Sequence, residues 1–113
     1  MKPLAPLSVL ALTLALASSP GQAQPDHGKT FGYDLPSAGI LLEGIGYDPQ
    51  REIFYVSGVN DGGRIYRGRV HEEALEVWQP GAVDGRTTAR GIDVDDAGRV
   101  FVAGGPSGRL WVF

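Results

Sequence analysis

The stretch that decides the fold is GIGYDPQREIFYVSG, residues 44–58, which returns in altered form as GIDVDDAGRVFVAG, residues 91–104. Each copy contains two short apolar runs separated by a polar turn, which is the pattern of a β-hairpin. A shorter pair of matching segments follows the two copies, GRIY at residues 63–66 and GRLW at residues 108–111. The chain therefore carries an internal repeat with a period of about 46 residues.

Short strands punctuated by glycine, proline and aspartate account for the chain from residue 42 onward, so we predict an all-β fold. A period in the mid-forties with about four strands per copy is the spacing of a β-propeller blade. A β-sandwich would also give short strands, but it would not ordinarily repeat matched motifs in the same order. The predicted strands after the first are residues 53–56, 64–70, 75–78, 92–94, 100–103 and 110–113.

The expected architecture is a β-propeller fragment of about one and three-quarter blades, since residues 42–113 hold one full copy and three strands of the next. A blade buries its faces only against neighbouring blades, so we expect the remaining blades, or self-association, to be needed for stability. Because residues 111–113 lie inside a predicted strand, we interpret the chain as a truncated amino-terminal fragment. The alternative is a short chain whose copies assemble into a ring.

Residues 1–23 have the pattern of a secretory signal peptide, with Lys2 ahead of an apolar run at residues 7–17 and small residues ending at Ala23. A membrane-spanning helix needs roughly 20 apolar residues, about twice this run. We therefore predict a secreted or periplasmic protein with no membrane span in the mature chain. Residues 24–41 form an amino-terminal segment, and one interpretation is that they supply a ring-closing strand.

Composition removes several functional classes. The 113 residues include no cysteine and carry a net charge of −3, so disulfides, thiol catalysis and a nucleic-acid partner are not expected. Asp93 and Asp95 resemble the start of a calcium loop, but Ala97 and Gly104 occupy its fifth and twelfth positions. We interpret that stretch as a hairpin turn. No motif identifies a catalytic residue or an organic cofactor site.

Glu43 is the one candidate site residue. It follows three apolar residues where the innermost strand of a blade would begin, and a carboxylate is costly to bury there without a cation or a donor. Carboxylates that converge on a propeller channel can bind a hard cation such as calcium. The alternative is a solvent-facing glutamate, or one that accepts hydrogen bonds from backbone amides.

The stretch LLEGIGYDPQREIFYVSGVNDGGRIYRG, followed by RGIDVDDAGRVFVAGGPSGRLWVF, resembles the senescence marker protein, gluconolactonase and luciferin-regenerating-enzyme-like family. The resemblance implies an exported six-bladed propeller that holds one divalent cation, calcium being our expectation, and hydrolyses lactones. Glu43 matches the family's first metal ligand, with Ile45 in place of a proline. The resemblance implies that the other ligands come from later blades.

The family's substrate-contacting motif, Arg-x-Asn-Asp-Gly, corresponds to residues 88–92, which read TARGI. This difference leaves two hypotheses for the parent protein. One is a metal-dependent lactone hydrolase in which Glu43 ligates the cation, with the present chain an inactive fragment. The other is a non-catalytic propeller that binds a small molecule, a glycan or a protein through its loops.

Overall fold

The computed structural model describes residues 1–4 and 30–113. Apart from its first four residues, the predicted signal peptide lies outside the described residues, as do residues 24–29 of the amino-terminal segment. The chain divides into two compact units, Met1–Thr30 and Phe31–Phe113. The architecture below is that of the second unit.

Seven strands form two antiparallel sheets, which confirms the all-β prediction. The first sheet has the order β1-β2-β3-β4 and the second the order β5-β6-β7, so within each sheet the strands pair in sequence order. A short 3-10 turn, Gly105–Ser107, lies between β6 and β7. The strands are β1 (Leu42–Asp48), β2 (Ile53–Gly58), β3 (Ile65–Arg69), β4 (Glu76–Gln79), β5 (Ile92–Val94), β6 (Val100–Ala103) and β7 (Leu110–Val112).

The sequence repeat is also a repeat of strand register. Ile45 pairs with Val56 in the first sheet, and the repeat-equivalent residues Ile92 and Val102 pair in the second. The β2–β3 and β6–β7 ladders correspond in the same way. Because a one-residue slip would turn every side chain to the opposite face, this agreement means that both sheets orient equivalent residues alike.

The two sheets stack through unlike faces. We call the face of the first sheet that carries Ile53, Tyr55 and Ile65 its forward face, and the opposite face, with Phe54 and Val56, its rear face. Side chains alternate between the two faces along each strand. Val100 and Val102 are the repeat equivalents of Phe54 and Val56, so they lie on the rear face of the second sheet. The second sheet packs its rear face on the forward face of the first, and the shared core comprises Ile53, Tyr55, Ile65, Ala89, Val100 and Val102.

The space between the sheets is narrow at β1 and β5 and wider at the outer strands. A Cβ atom at Gly46 would lie 2.6 Å from a methyl group of Ile92, so only glycine fits there. At the outer end, Trp78 fills the gap, with its ring centre 4.7 Å from that of Tyr55 and 5.7 Å from that of Phe113. The core therefore widens from β1 and β5 toward the outer strands, and larger side chains fill its wider end.

Residues 33–40 cover the rear face of the first sheet. Tyr33, Leu35 and Ile40 pack against the cluster that contains Phe54 and Tyr66. Within residues 30–41, Asp34 forms an isolated parallel bridge with Ala74. The ring-closing role stays a prediction, while the observed role of residues 33–40 is to cover this apolar face.

Candidate functional site

Glu43 lies near the start of β1, where its carboxylate faces Arg90 from the loop before β5. Arg90 Nη1 donates to Glu43 Oε2 at 2.8 Å, and both side chains are about half exposed. The glutamate therefore faces solvent and is compensated by a guanidinium group. Sequence reasoning missed this partner. Glu43 and Arg90 are 47 positions apart, which equals the repeat offset, so they occupy equivalent positions in the two copies of the repeat.

The side chains around Glu43 do not by themselves supply enough oxygen ligands for a calcium site. Calcium takes six to eight oxygen ligands. In the part of the chain that the structure describes, no three histidine, aspartate or glutamate side chains converge in a way that could hold a metal ion. Glu43 contributes one carboxylate, and the nearest charged group to it is the cation of Arg90.

Ser57 fixes the backbone beneath this ion pair. Its hydroxyl is completely buried, accepts a hydrogen bond from the Gly44 amide at 2.8 Å and donates to the carbonyl of Arg90. A Cβ atom at Gly44 would lie 2.1 Å from that same carbonyl oxygen. A close backbone contact and one buried hydroxyl thus hold Gly44, the residue after Glu43, against the main chain of Arg90.

Arg86 is a buried residue that the sequence did not single out, because it lies between the predicted strands at residues 75–78 and 92–94. Its side chain is fully buried; Nε donates to the carbonyl of Gly63 at 2.9 Å, and Nη2 donates to that of Pro80 at 2.7 Å. Nη1 pairs with Asp84, and the guanidinium carbon lies 4.9 Å from the ring centre of Phe113. Burial lowers the pKa of Arg86, and Asp84 opposes that effect. Its role is to crosslink loops between the sheets.

In each sheet one aspartate accepts hydrogen bonds within the turn of the first hairpin, Asp48 in the first sheet and Asp95 in the second. Asp48 accepts from the Arg51 amide at 3.1 Å and from Arg51 Nη1 at 2.7 Å, and Asp95 accepts from the Arg99 amide at 2.8 Å and from Arg99 Nε at 2.6 Å. The hydrogen bond from the Arg51 side chain is the main cause of the lowered pKa of Asp48. For Asp95, the backbone amide of Arg99 is the main cause of a lowered pKa. The hairpin interpretation of the Asp95 region is confirmed, with Gly98 in its turn at φ 82°.

A cleft of about 470 Å³ lies between residues 31–33 and the β3–β4 connection. In its lining, Tyr33 donates its hydroxyl to the carbonyl of Val70 at 3.0 Å, and Phe31 is 74% exposed. Sequence reasoning did not find this cleft, because the residues on its two sides are about 40 positions apart in the chain. It is lined by Phe31, Gly32, Tyr33, Val70, His71, Glu72 and Glu73.

Comparison with known proteins gave no match, neither to a family model nor to a curated protein. Among the described residues, no helix has the length and apolar character needed to cross a membrane.

Proposed function

We propose that the chain forms one blade and three strands of the next in an exported β-propeller of the gluconolactonase-like group, and that it serves as a binding module rather than an enzyme. Three observations support the propeller: the matched register of the two sheets, their forward-to-rear packing, and the tapered core between them. Each is what successive blades around an axis require, since every blade must be covered by the next.

The cleft beside the β3–β4 connection carries the binding proposal. Its volume lies in the range of small-molecule sites, about 300–1,000 Å³. Its walls combine the exposed residue Phe31 with the carboxylates of Glu72 and Glu73, and its lining among residues 30–113 includes no lysine or arginine. An aromatic face together with carboxylates attracts organic cations, so the ligand class we propose is a small organic cation.

Titration calorimetry with choline as the probe tests this proposal. We expect saturable binding to the full chain, weakened at least about tenfold in Phe31→Ala, because the ring supplies the cation–π contact. Val83→Ala changes an apolar residue that is 67% exposed outside the cleft, and it should bind like the unmodified chain. Absence of binding, or equal binding by Phe31→Ala, would contradict the proposal.

A lactone hydrolase is the second candidate, favoured by the place of Glu43 at the start of β1 and by its half-exposed carboxylate. Hydrolysis of gluconolactone by the full-length parent protein should then depend on added calcium and disappear in Glu43→Gln. Glu76→Gln is the matched control, since Glu76 is also an exposed glutamate paired with an arginine. Turnover that is unchanged in Glu43→Gln would exclude this role for Glu43.

Export is the remaining part of the proposal, and it rests on the amino-terminal sequence. Expression in a bacterial host followed by fractionation should place the protein in the periplasm or the medium. Intact-mass measurement should show a chain that begins at Gln24. A product that retains Met1 and remains in the cytoplasm would contradict it.

A further inference from the structure

His71 lines the cleft together with Glu72 and Glu73, and it also faces a carboxylate from another part of the fold. Its Nε2 lies 3.5 Å from Oε2 of Glu52, which belongs to the turn between β1 and β2 and is not among the residues that line the cleft. Both side chains are more than half exposed. The imidazole therefore belongs to the cleft and has an acidic partner outside it.

The backbone of Glu52 holds this partner beside the β3–β4 connection. Glu52 has a φ of 54°, in the left-handed region that residues with a side chain rarely adopt. Its carbonyl accepts a hydrogen bond at 3.2 Å from the amide of Val70, the residue before His71. A residue stays in such a conformation only where the surrounding structure enforces it, so the contact between the turn and the connection is a built feature of the fold.

The charges on the β3–β4 connection leave the cleft acidic. Glu72 approaches Arg69 at 3.9 Å, a loose pair between two exposed side chains that contributes little attraction. Arg69 does not line the cleft, and the lining among residues 30–113 includes no lysine. With a neutral His71 the lining thus carries the carboxylates of Glu72 and Glu73 alone, and a protonated His71 adds a positive charge beside them.

The elements packed against this connection supply no cation that is directed at His71. The Tyr33 hydroxyl and the Asp34 amide both donate to main-chain carbonyls of the connection, at 3.0 and 2.9 Å. In the β1–β2 turn, Arg51 pairs with Asp48 at 2.7 Å. Histidine is the side chain that ordinarily changes its charge between about pH 5 and pH 8, so in this region a change of pH in that range acts through His71.

We propose that protonation of His71 regulates the cleft, so that an organic cation binds while the imidazole is neutral and is released as the pH falls. An imidazolium group in the lining repels a cationic ligand, and Glu52 supplies a counter-charge for it from outside the lining. This regulation rests on the proposed function of the cleft and adds acid-triggered release to it.

Titration calorimetry of the full chain with choline at about pH 8 and about pH 5.5 tests this regulation. We expect the dissociation constant to be about three- to tenfold higher at the lower pH, because two like charges a few ångströms apart at an exposed site repel each other to about that extent. Far-ultraviolet circular dichroism should give the same spectrum at both pH values, which separates release of the ligand from unfolding.

Three variants identify the group responsible. His71→Gln keeps a polar side chain but removes the titrating group, so choline should bind equally at both pH values. His27→Gln is the matched control, because His27 is the other histidine of the chain, and this variant should keep the pH dependence. Glu52→Gln removes the counter-charge of the imidazolium, so release should require a lower pH than in the unmodified chain.

The outcomes separate this regulation from the cleft proposal itself. Equal binding by the unmodified chain at both pH values, or a pH dependence that persists in His71→Gln, would overturn the regulation and leave the cleft proposal standing. Absence of choline binding at both pH values would contradict the cleft proposal and overturn the regulation with it.

Discussion

The buried hydroxyl of Ser57 donates to the main-chain carbonyl of Arg90, 33 residues further along the chain. The same oxygen accepts the amide of Gly44, so one side chain joins β2, β1 and the loop that enters the second sheet. At the equivalent position of the second sheet stands Ala103, which is exposed. The two copies of the repeat therefore differ at this position, which is buried beneath the second sheet in the first copy and exposed in the second.

Replacing Ser57 with alanine should destabilise the fold by about 1–3 kcal/mol, because the Gly44 amide and the Arg90 carbonyl lose a buried partner. Urea denaturation followed by tryptophan fluorescence measures the change. The reverse substitution at the equivalent position, Ala103→Ser, should change stability by less than about 0.5 kcal/mol because it lies in solvent. Equal effects of the two substitutions would show that the hydroxyl does not join the sheets.

Gly44→Ala should cost about 1–3 kcal/mol of stability, since its new methyl group would lie 2.1 Å from a backbone oxygen that cannot move aside by a rotamer change. Gly91→Ala is the control, as a Cβ atom there meets nothing within 4 Å. Thermal unfolding of both variants provides the comparison. A Gly44→Ala variant as stable as Gly91→Ala would contradict the close approach of β1 to the loop before β5.

Arg86→Met should lower the free energy of unfolding by at least about 2 kcal/mol, because it removes the guanidinium that pairs with Asp84 and donates to the carbonyls of Gly63 and Pro80. Arg99→Met removes an arginine that also pairs with an aspartate but is 65% exposed, so its cost should stay below about 1 kcal/mol. Chemical denaturation measures both. Similar costs for the two would mean that Arg86 acts only as a surface charge.

Stability should fall in acid below about pH 4. Asp48 and Asp95 have lowered pKa values in the folded chain, so they contribute stability above the ordinary aspartate pKa of about 3.9 and lose it as pH falls through the lower folded values. Asp48→Asn should flatten the dependence of unfolding free energy on pH in that range. An unchanged slope in Asp48→Asn would contradict this role.

Much of the fold followed from local signals. The strands and hairpins were predictable because alternating apolar residues, glycines and turn-forming aspartates act over a few residues. The repeat also predicted that Tyr55 and Phe101 occupy equivalent positions, as the matched registers show. The partner of Glu43 could not be found in the same way, since an ion pair across 47 residues depends on how the sheets stack.

The sequence by itself determined the strand order, the repeat and the single candidate carboxylate, because periodicity and turn chemistry are properties of short segments. Tertiary structure decided that Arg86 is buried in a loop of polar composition, that Glu43 faces a guanidinium group, and that residues 31–33 and 70–73 enclose a cleft. These outcomes depend on packing between segments far apart in the chain. The free energy of a buried charge or an enclosed cavity is set by all the surfaces that meet there, and no single segment encodes it.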